Sequence, residues 1–132
     1  MSTLIRADEV PAADRLDFVR ELTAATWGPM ECRAEHAAGY WGQFRTSGLG
    51  PMQVVVMDVE PITVHRTPAL ISQADPDMLK MLVVCDSSCS VVEQGGRQAR
   101  LSSPGEFAFY DTRRPYEVAC AVGQERPARL LT

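Results

Sequence analysis

The sequence has 132 residues, of which 45% are hydrophobic and 23% charged, so one globular domain with its own core is expected. Its net charge is −4 and Lys80 is its one lysine. A chain that binds DNA by itself usually has a basic surface that contacts the phosphates. Direct nucleic-acid binding by this chain alone is therefore not expected. The first residues lack an apolar signal-peptide core, and the longest apolar runs fall far short of the roughly 20 residues of a membrane helix. A cytoplasmic protein without membrane contact is expected.

The N-terminal part predicts one helix. Residues 1–12 are interpreted as a polar lead-in, and the domain proper is expected over residues 13–132. In Asp14–Thr26, apolar residues recur at steps of three and four, as they do on one face of a helix. Pro11 before this segment and Gly28-Pro29 after it suit a helix start and end. The helix either packs over one opening or face of a β structure or acts as a lid.

The rest of the chain alternates between apolar and polar residues in short segments separated by turn residues. Met52–Glu60 is the clearest strand, with Val55, Met57 and Val59 on one face. Further strands are predicted at Cys32–His36, Ile62–Arg66, Ala69–Ser72, Met78–Cys85, Glu106–Tyr110 and Glu117–Val122. A polar loop is predicted over Gly123–Pro127, and Ala128–Thr132 begins a strand or a helix.

A hairpin signal stands in the middle of this series. Cys89–Gln94 and Arg97–Leu101 flank Gly95-Gly96, and a two-residue loop between strands needs the positive φ that glycine accepts. Eight or nine short strands after one helix, without βαβ alternation, predict a mainly β fold. The expected architecture is an antiparallel barrel or a two-sheet roll.

One segment carries a resemblance to a known family. Within Leu101–Tyr116, PGEFAFYDTRRPY resembles the PGD-strand-YDT-x-RPY segment in the N-terminal regulatory domain of one branch of the AraC/XylS-type bacterial transcription regulators. Three upstream pieces resemble the same branch in order: Arg66-Thr67-Pro68 with Ile71, the strand around Met81–Val84, and Gln94-Gly95-Gly96-Arg97. The resemblance implies a cupin-like double-stranded β-helix barrel. It also implies that the barrel binds a small effector and thereby changes how attached helix-turn-helix domains engage DNA.

Two features depart from that family pattern. Glu106 stands where the pattern has aspartate after Pro-Gly, which affects only the turn. The family places dimerisation helices and a basic DNA-binding region after the barrel, whereas this sequence ends at Thr132. The sequence is therefore expected to be the regulatory part of a longer protein, without the helix-turn-helix part that contacts DNA.

Few residues suggest catalysis. Metal-dependent cupin enzymes use clustered histidines with a glutamate, but this chain has only His36 and His65, far apart in sequence. The four cysteines form no C-x-x-C pair and are interpreted as small apolar residues, with a zinc site as the alternative. No nucleophile elbow is present. A non-enzymatic domain without metal or cofactor is expected.

Three polar residues stand out, Arg66, Asp111 and Arg114. One hypothesis is that Asp111 accepts hydrogen bonds from Arg66 or Arg114 and fixes the turn before Pro115, since a carboxylate–guanidinium pair is strongly directional. The alternative is that one arginine faces a cavity and binds an acidic ligand. The ligand-binding candidates, chosen on chemistry alone, are Trp41, Phe44, Arg66, Phe107, Phe109 and Tyr116.

These observations favour the effector-sensing domain of an AraC-type regulator, whose partner is a small-molecule effector. Two other functions stay open: a small cupin-like enzyme, and a protein–protein interaction module whose cavity is filled by its own aromatic side chains. A homodimer, if one forms, would use unpaired strand edges or the Asp14–Thr26 helix.

Overall fold

The computed structural model describes residues 2–122 and 128–131, so the loop predicted over Gly123–Pro127 lies outside the described residues. With strands numbered in chain order, one antiparallel sheet contains β1 (Ser2–Arg6), β3 (Gly42–Leu49), β4 (Met52–Val59), β11 (Ala128–Leu131), β6 (Leu79–Val84) and β9 (Phe107–Asp111), in that spatial order. The second antiparallel sheet contains β2 (Glu31–Arg33), β5 (Ile62–Arg66), β10 (Tyr116–Cys120), β7 (Ser90–Gln94) and β8 (Arg97–Leu101). The predicted mainly β, cupin-like antiparallel fold is confirmed.

Both sheets contribute side chains to a single core. Val55 and Leu82 from the first sheet and Val118 from the second are each almost fully buried in it. The predicted hairpin is also present. β7 and β8 form an antiparallel pair that ends with Gln94 opposite Arg97, and Gly95 and Gly96 between them have positive φ. The apolar alternation of the strands therefore folds as two sheets facing each other around one core.

The helix α1 (Arg15–Trp27) packs against this β structure. Val19, Thr23 and Trp27 recur every four residues and are its buried side chains. The helix ends at Gly28, whose φ of +92° is one that residues with a Cβ rarely adopt. The helix thus begins and ends one residue later than the predicted Asp14–Thr26. None of the helices in the described part of the chain is long and apolar enough to cross a membrane.

Three segments differ from the sequence-based expectation, and one of them is β3, a strand that was not predicted. Within the supposed lead-in, β1 pairs with β3 along its whole length and so belongs to the sheet. The predicted strand Ala69–Ser72 is instead part of a short helix, α2 (Pro68–Gln73). Its start has a local cause, because the Thr67 hydroxyl accepts a hydrogen bond from the Leu70 amide at 3.2 Å and proline occupies the first helical turn.

Candidate functional site

A small cavity lies between the two sheets, with α1 forming part of its wall. Its volume is about 40 Å³, and the wall is almost entirely apolar. α1 contributes Val19, Thr23 and Trp27, and the strands contribute aromatic and aliphatic side chains from both sheets. Because one water needs roughly 10–15 Å³ by this kind of measure, the cavity has room for about three waters. A larger ligand would require α1 or the adjacent side chains to move.

Lys80 is the charged side chain in this wall. It points inward from β6 and is only 7% exposed. Its Nζ lies 3.9 Å from the ring centroid of Trp27, 5.0 Å from that of Tyr110 and 5.9 Å from that of Tyr116. No hydrogen bond or ion pair of this ammonium group is found within residues 2–122 and 128–131. The aromatic faces are therefore its main electrostatic partners in the described structure.

Burial changes the protonation of this amine. Removal from water lowers the pKa of Lys80 to about 7, and the positive charge of Arg66 acts in the same direction, opposed by Cys120. Cys120 lies on the opposite sheet, and burial raises the pKa of its thiol to about 12. At neutral pH the cavity wall therefore contains a neutral thiol and an amine that can gain or lose its proton.

Other polar side chains at the cavity already have partners. The Thr23 hydroxyl donates to the Arg20 carbonyl at 2.8 Å, and the Tyr40 hydroxyl donates to the Glu60 carbonyl at 2.8 Å. Burial raises the pKa of Tyr40, so its hydroxyl stays protonated. Lys80 differs from these groups because its donors have no acceptor in the described residues.

Arg66 is the second buried cation, and its environment is different. It is fully buried at the end of β5. Its Nε donates to the Thr112 carbonyl at 2.8 Å, Nη1 to the Pro29 carbonyl at 2.9 Å and Nη2 to the Ala74 carbonyl at 2.7 Å. The guanidinium thus joins the segment after α1, the segment after α2 and the turn between β9 and β10.

Asp111 has a different partner from either arginine considered in the sequence analysis. Its carboxylate accepts from the Arg113 Nε at 3.1 Å and Nη2 at 3.0 Å, and from the Arg113 amide at 2.9 Å. These bonds with Arg113 lower the pKa of Asp111. The guanidinium of Arg114 instead lies against Gly95, where an added Cβ would come within 2.6 Å of it. The structure therefore brings neither Arg66 nor Arg114 into a hydrogen bond with this carboxylate among the residues described.

The aromatic candidates are divided between the interior and the surface. Phe44 lines the cavity, and Tyr116 is buried beside Lys80 with its hydroxyl 3.5 Å from the Met30 sulfur. Trp41 is half-buried outside the cavity wall, and its amide donates to a Glu60 carboxylate oxygen. Phe107 and Phe109 are 55% and 59% exposed on the outer face of β9. Their rings contact each other edge to face, away from the cavity.

Sequence reasoning missed Lys80, Trp27 and Tyr110. A signal for Lys80 was present, because side chains alternate along a strand. Leu82 and Val84 face the core, so Lys80 at an even spacing from them must also face inward. Tyr110 is the residue directly opposite Lys80 on β9.

Metal-binding side chains are dispersed in the structure. His65 is partly exposed, with its Nδ1 3.9 Å from a Glu31 carboxylate oxygen. Cys32 and Cys120 are buried. Across the described ranges, no group of three or more His, Cys, Asp or Glu side chains could hold a metal ion.

Comparison with known proteins identifies the family. The profile of the AraC-binding-like domain matches residues 19–126. The chain belongs to this family. An uncharacterized protein in the nit 5′ region of Bacillus sp. (strain OxB-1) is 22% identical over 116 residues, which cover 88% of this chain and 44% of that protein. The crystal structure of the AraC-like transcriptional activator CuxR superposes with a TM-score of 0.78 at 17% identity, covering 99% of this chain and 46% of that one. This chain thus spans less than half the length of each of these two proteins.

Proposed function

We propose that this AraC-binding-like domain is the effector-sensing part of an AraC-type transcription regulator, and that the cavity beside α1 is the effector site. The observation that carries the proposal is an apolar cavity into which a buried amine points, with no acceptor for it among the residues that the structure describes. A cavity lined by apolar groups, with very few polar groups to orient a ligand, is typical of small-molecule sites. The fold shared with an AraC-like transcriptional activator supports the same function.

The proposed mechanism uses α1 and Arg66. Val19, Thr23 and Trp27 of α1 form part of the cavity wall, so a ligand larger than a few waters moves the helix or the side chains next to it, and the proposed mechanism uses the movement of the helix. The carbonyl of Pro29, just after α1, accepts a hydrogen bond from Arg66. The same guanidinium also donates to the carbonyls of Ala74 and Thr112. A ligand that binds one position of α1 more tightly shifts the population toward it, and Arg66 passes the change to the other two segments.

Cavity filling tests the site. Val64 lines the cavity from β5, and Thr63 points to the other face of the same strand. We expect small apolar acids, amides and alcohols, screened by thermal shift and NMR, to include binders of the unmodified protein. Binding is expected to be lost in Val64→Phe and kept in Thr63→Phe. Equal binding to both variants would place the ligand elsewhere, and a screen without binders would count against effector sensing.

Output on DNA is proposed for the part of the protein that this chain does not cover. The net charge of −4 gives this domain little attraction for phosphates. In a gel-shift assay at about 150 mM salt, the domain alone should therefore not retain duplex DNA. Retention of DNA under these conditions would contradict the proposal that this domain senses the effector and another part of the protein binds DNA.

Self-association is a second proposed property, favoured by the outer surface of β6 and β9. Leu79 and Met81 on β6 and Phe107 and Phe109 on β9 expose an apolar surface beside the edge of the sheet. Edge strands of monomers usually carry charged residues that discourage pairing, whereas these outward positions are apolar. We therefore propose a second copy of this chain as the partner. Light scattering should show a dimer that Phe107→Ser with Phe109→Ser converts to monomer, and a monomeric parent protein would exclude it.

A further inference from the structure

Lys80 occupies an unusual position for a charged residue in its strand. Along β6 the charged residue Lys80 is buried, while its apolar neighbours Leu79 and Met81 are 72% and 39% exposed. Burying an amine without a hydrogen-bond acceptor is unfavourable, and the interactions with aromatic rings recover only part of the loss. The folded domain without ligand therefore has in its cavity an amine that, when protonated, lacks a counter-charge among the described residues.

The wall of the cavity limits what can satisfy this group. Thr23 and Tyr40 already donate to backbone carbonyls, and the Cys120 thiol is held neutral by burial, which raises its pKa to about 12. Most of the remaining wall is apolar side chain. A matching ligand thus needs one anionic group for Lys80 and an apolar body for the rest of the cavity.

We propose that the effector is a small monocarboxylic acid whose carboxylate pairs with the Lys80 ammonium while its apolar chain lies among the cavity side chains. This inference rests on the proposed effector function and specifies its ligand class. An ion pair inside an apolar cavity is screened little by water, so the pair is strong once formed. A dicarboxylate or a sugar would instead place further polar groups against apolar wall, which is unfavourable.

The proposal links binding to protonation. Only the protonated amine pairs with a carboxylate, so bound acid favours the charged form of Lys80. Arg66 and Cys120 are the other ionisable groups that act on Lys80. We therefore expect the affinity for the acid to fall by roughly tenfold per pH unit above about pH 7, where the free amine loses its proton. The affinity for a matched amide should not change with pH.

A single lysine makes a direct test possible. Protein labelled with [ε-¹³C]lysine gives one lysine side-chain signal, that of Lys80. We would follow its pH titration alone, with saturating hexanoate and with hexanamide, and extend the set to butyrate and octanoate with their amides. The expected midpoint is near pH 7 without ligand, rises by at least one unit with the best acid and is unchanged by its amide. If no acid moves the midpoint, the inference is overturned.

Matched variants separate this inference from the effector site itself. Lys80→Met should weaken the best acid at least tenfold at pH 6.5 and leave its amide unaffected, whereas Arg100→Met, which removes an exposed positive charge, should change neither. If acid and amide bind equally and both are lost in Val64→Phe, the cavity is an effector site but the carboxylate assignment is wrong. If Val64→Phe has no effect on any ligand, the proposed site itself is wrong. The titration of unmodified protein remains decisive even if Lys80→Met does not fold.

Discussion

Arg66 and Lys80 are two buried cations treated in opposite ways by the same fold. Arg66 is fully buried and donates to three backbone carbonyls, each on a different segment. Lys80 is 7% exposed and faces three aromatic rings, without an acceptor among the described residues. Arg66 satisfies the usual condition for a buried charge, because each of its three nitrogens donates a hydrogen bond. Lys80 does not.

The difference separates a structural role from a ligand-binding one. The planar guanidinium of Arg66 can reach several carbonyls at fixed angles, so it joins loops that no sheet hydrogen bonds connect. An amine in an apolar cavity adds no such connection and destabilises the charged folded state. A site of this kind is expected where a ligand supplies the missing partner. Substitutions at the two positions test the two roles separately.

The largest effect is expected from Arg66→Met. The substitution leaves the buried carbonyl of Thr112 without its donor, together with the less buried carbonyls of Pro29 and Ala74. We expect a loss of about 3–5 kcal/mol in the free energy of unfolding, measured by urea denaturation. Arg100→Met, at an exposed position, should change it by no more than about 0.5 kcal/mol. Equal effects of the two variants would refute a structural role for Arg66.

Lys80→Met should instead stabilise the protein, by an amount that depends on pH. The folded pKa of Lys80, about 7, lies below its ordinary value of 10.5. Between these values the unfolded chain holds a proton that the folded chain has released, so unmodified protein gains stability as pH rises from about 7 to 10.5. The advantage of Lys80→Met should therefore be greatest below pH 7 and shrink by an amount on the order of 4 kcal/mol by pH 10.5.

Urea denaturation of both proteins at several pH values measures this difference. Arg66 and Cys120 act on Lys80 and are present in both proteins, so the comparison isolates the amine. An advantage that stays constant from pH 6 to pH 10 would show that Lys80 remains charged in the folded protein throughout this range.

A smaller loss is expected from Gly28→Ala, which tests the contact between the end of α1 and Arg66. A Cβ at Gly28 would lie 3.1 Å from Nη1 of Arg66 and 3.0 Å from Cδ of Pro76, at a φ of +92°. Gly96→Ala is the control for positive φ, because its φ is +75° and an added Cβ meets nothing within 4 Å. The control should cost about 1 kcal/mol for backbone strain. Gly28→Ala should cost about 1–2 kcal/mol more, because it adds the steric contact and because the ψ of 162° at Gly28 lies in a backbone region essentially restricted to glycine. Equal losses would mean that neither the contact with Arg66 nor the backbone conformation of Gly28 constrains this position.

The sequence predicted local features of this fold better than distant ones. The hairpin at Gly95-Gly96 and the boundaries of β5 follow from neighbouring residues, and both were predicted correctly. β1 was missed because its strand character depends on β3, which is distant in the chain. α2 was missed because its six residues are too few for a helical period, although Thr67-Pro68 is a recognisable helix start.

The site was harder to predict than the fold. Alternation along β9 correctly separates Phe107 and Phe109 from Ala108 and Tyr110, but it does not tell which set faces inward. Size and hydrophobicity favoured the phenylalanines as cavity residues, and the structure places them outside. Which side of β9 faces the core is determined by its pairing with β6. Lys80, which points inward from β6, lies opposite Tyr110.

The smallest effect is therefore expected from Phe109→Thr, although it removes a large aromatic ring. Its side chain is 59% exposed, so in protein diluted to the monomer the loss should be about 1 kcal/mol or less, mainly from contact with Phe107 and the neighbouring strand. Tyr110→Thr, one residue along, removes a ring that is 4% exposed and should cost about 3–5 kcal/mol. Threonine keeps β-strand propensity at both sites, so the two urea midpoints compare the faces alone. A larger loss at Phe109 would mean that β9 presents the opposite face to the core, and Lys80 would then no longer lie beside the cavity.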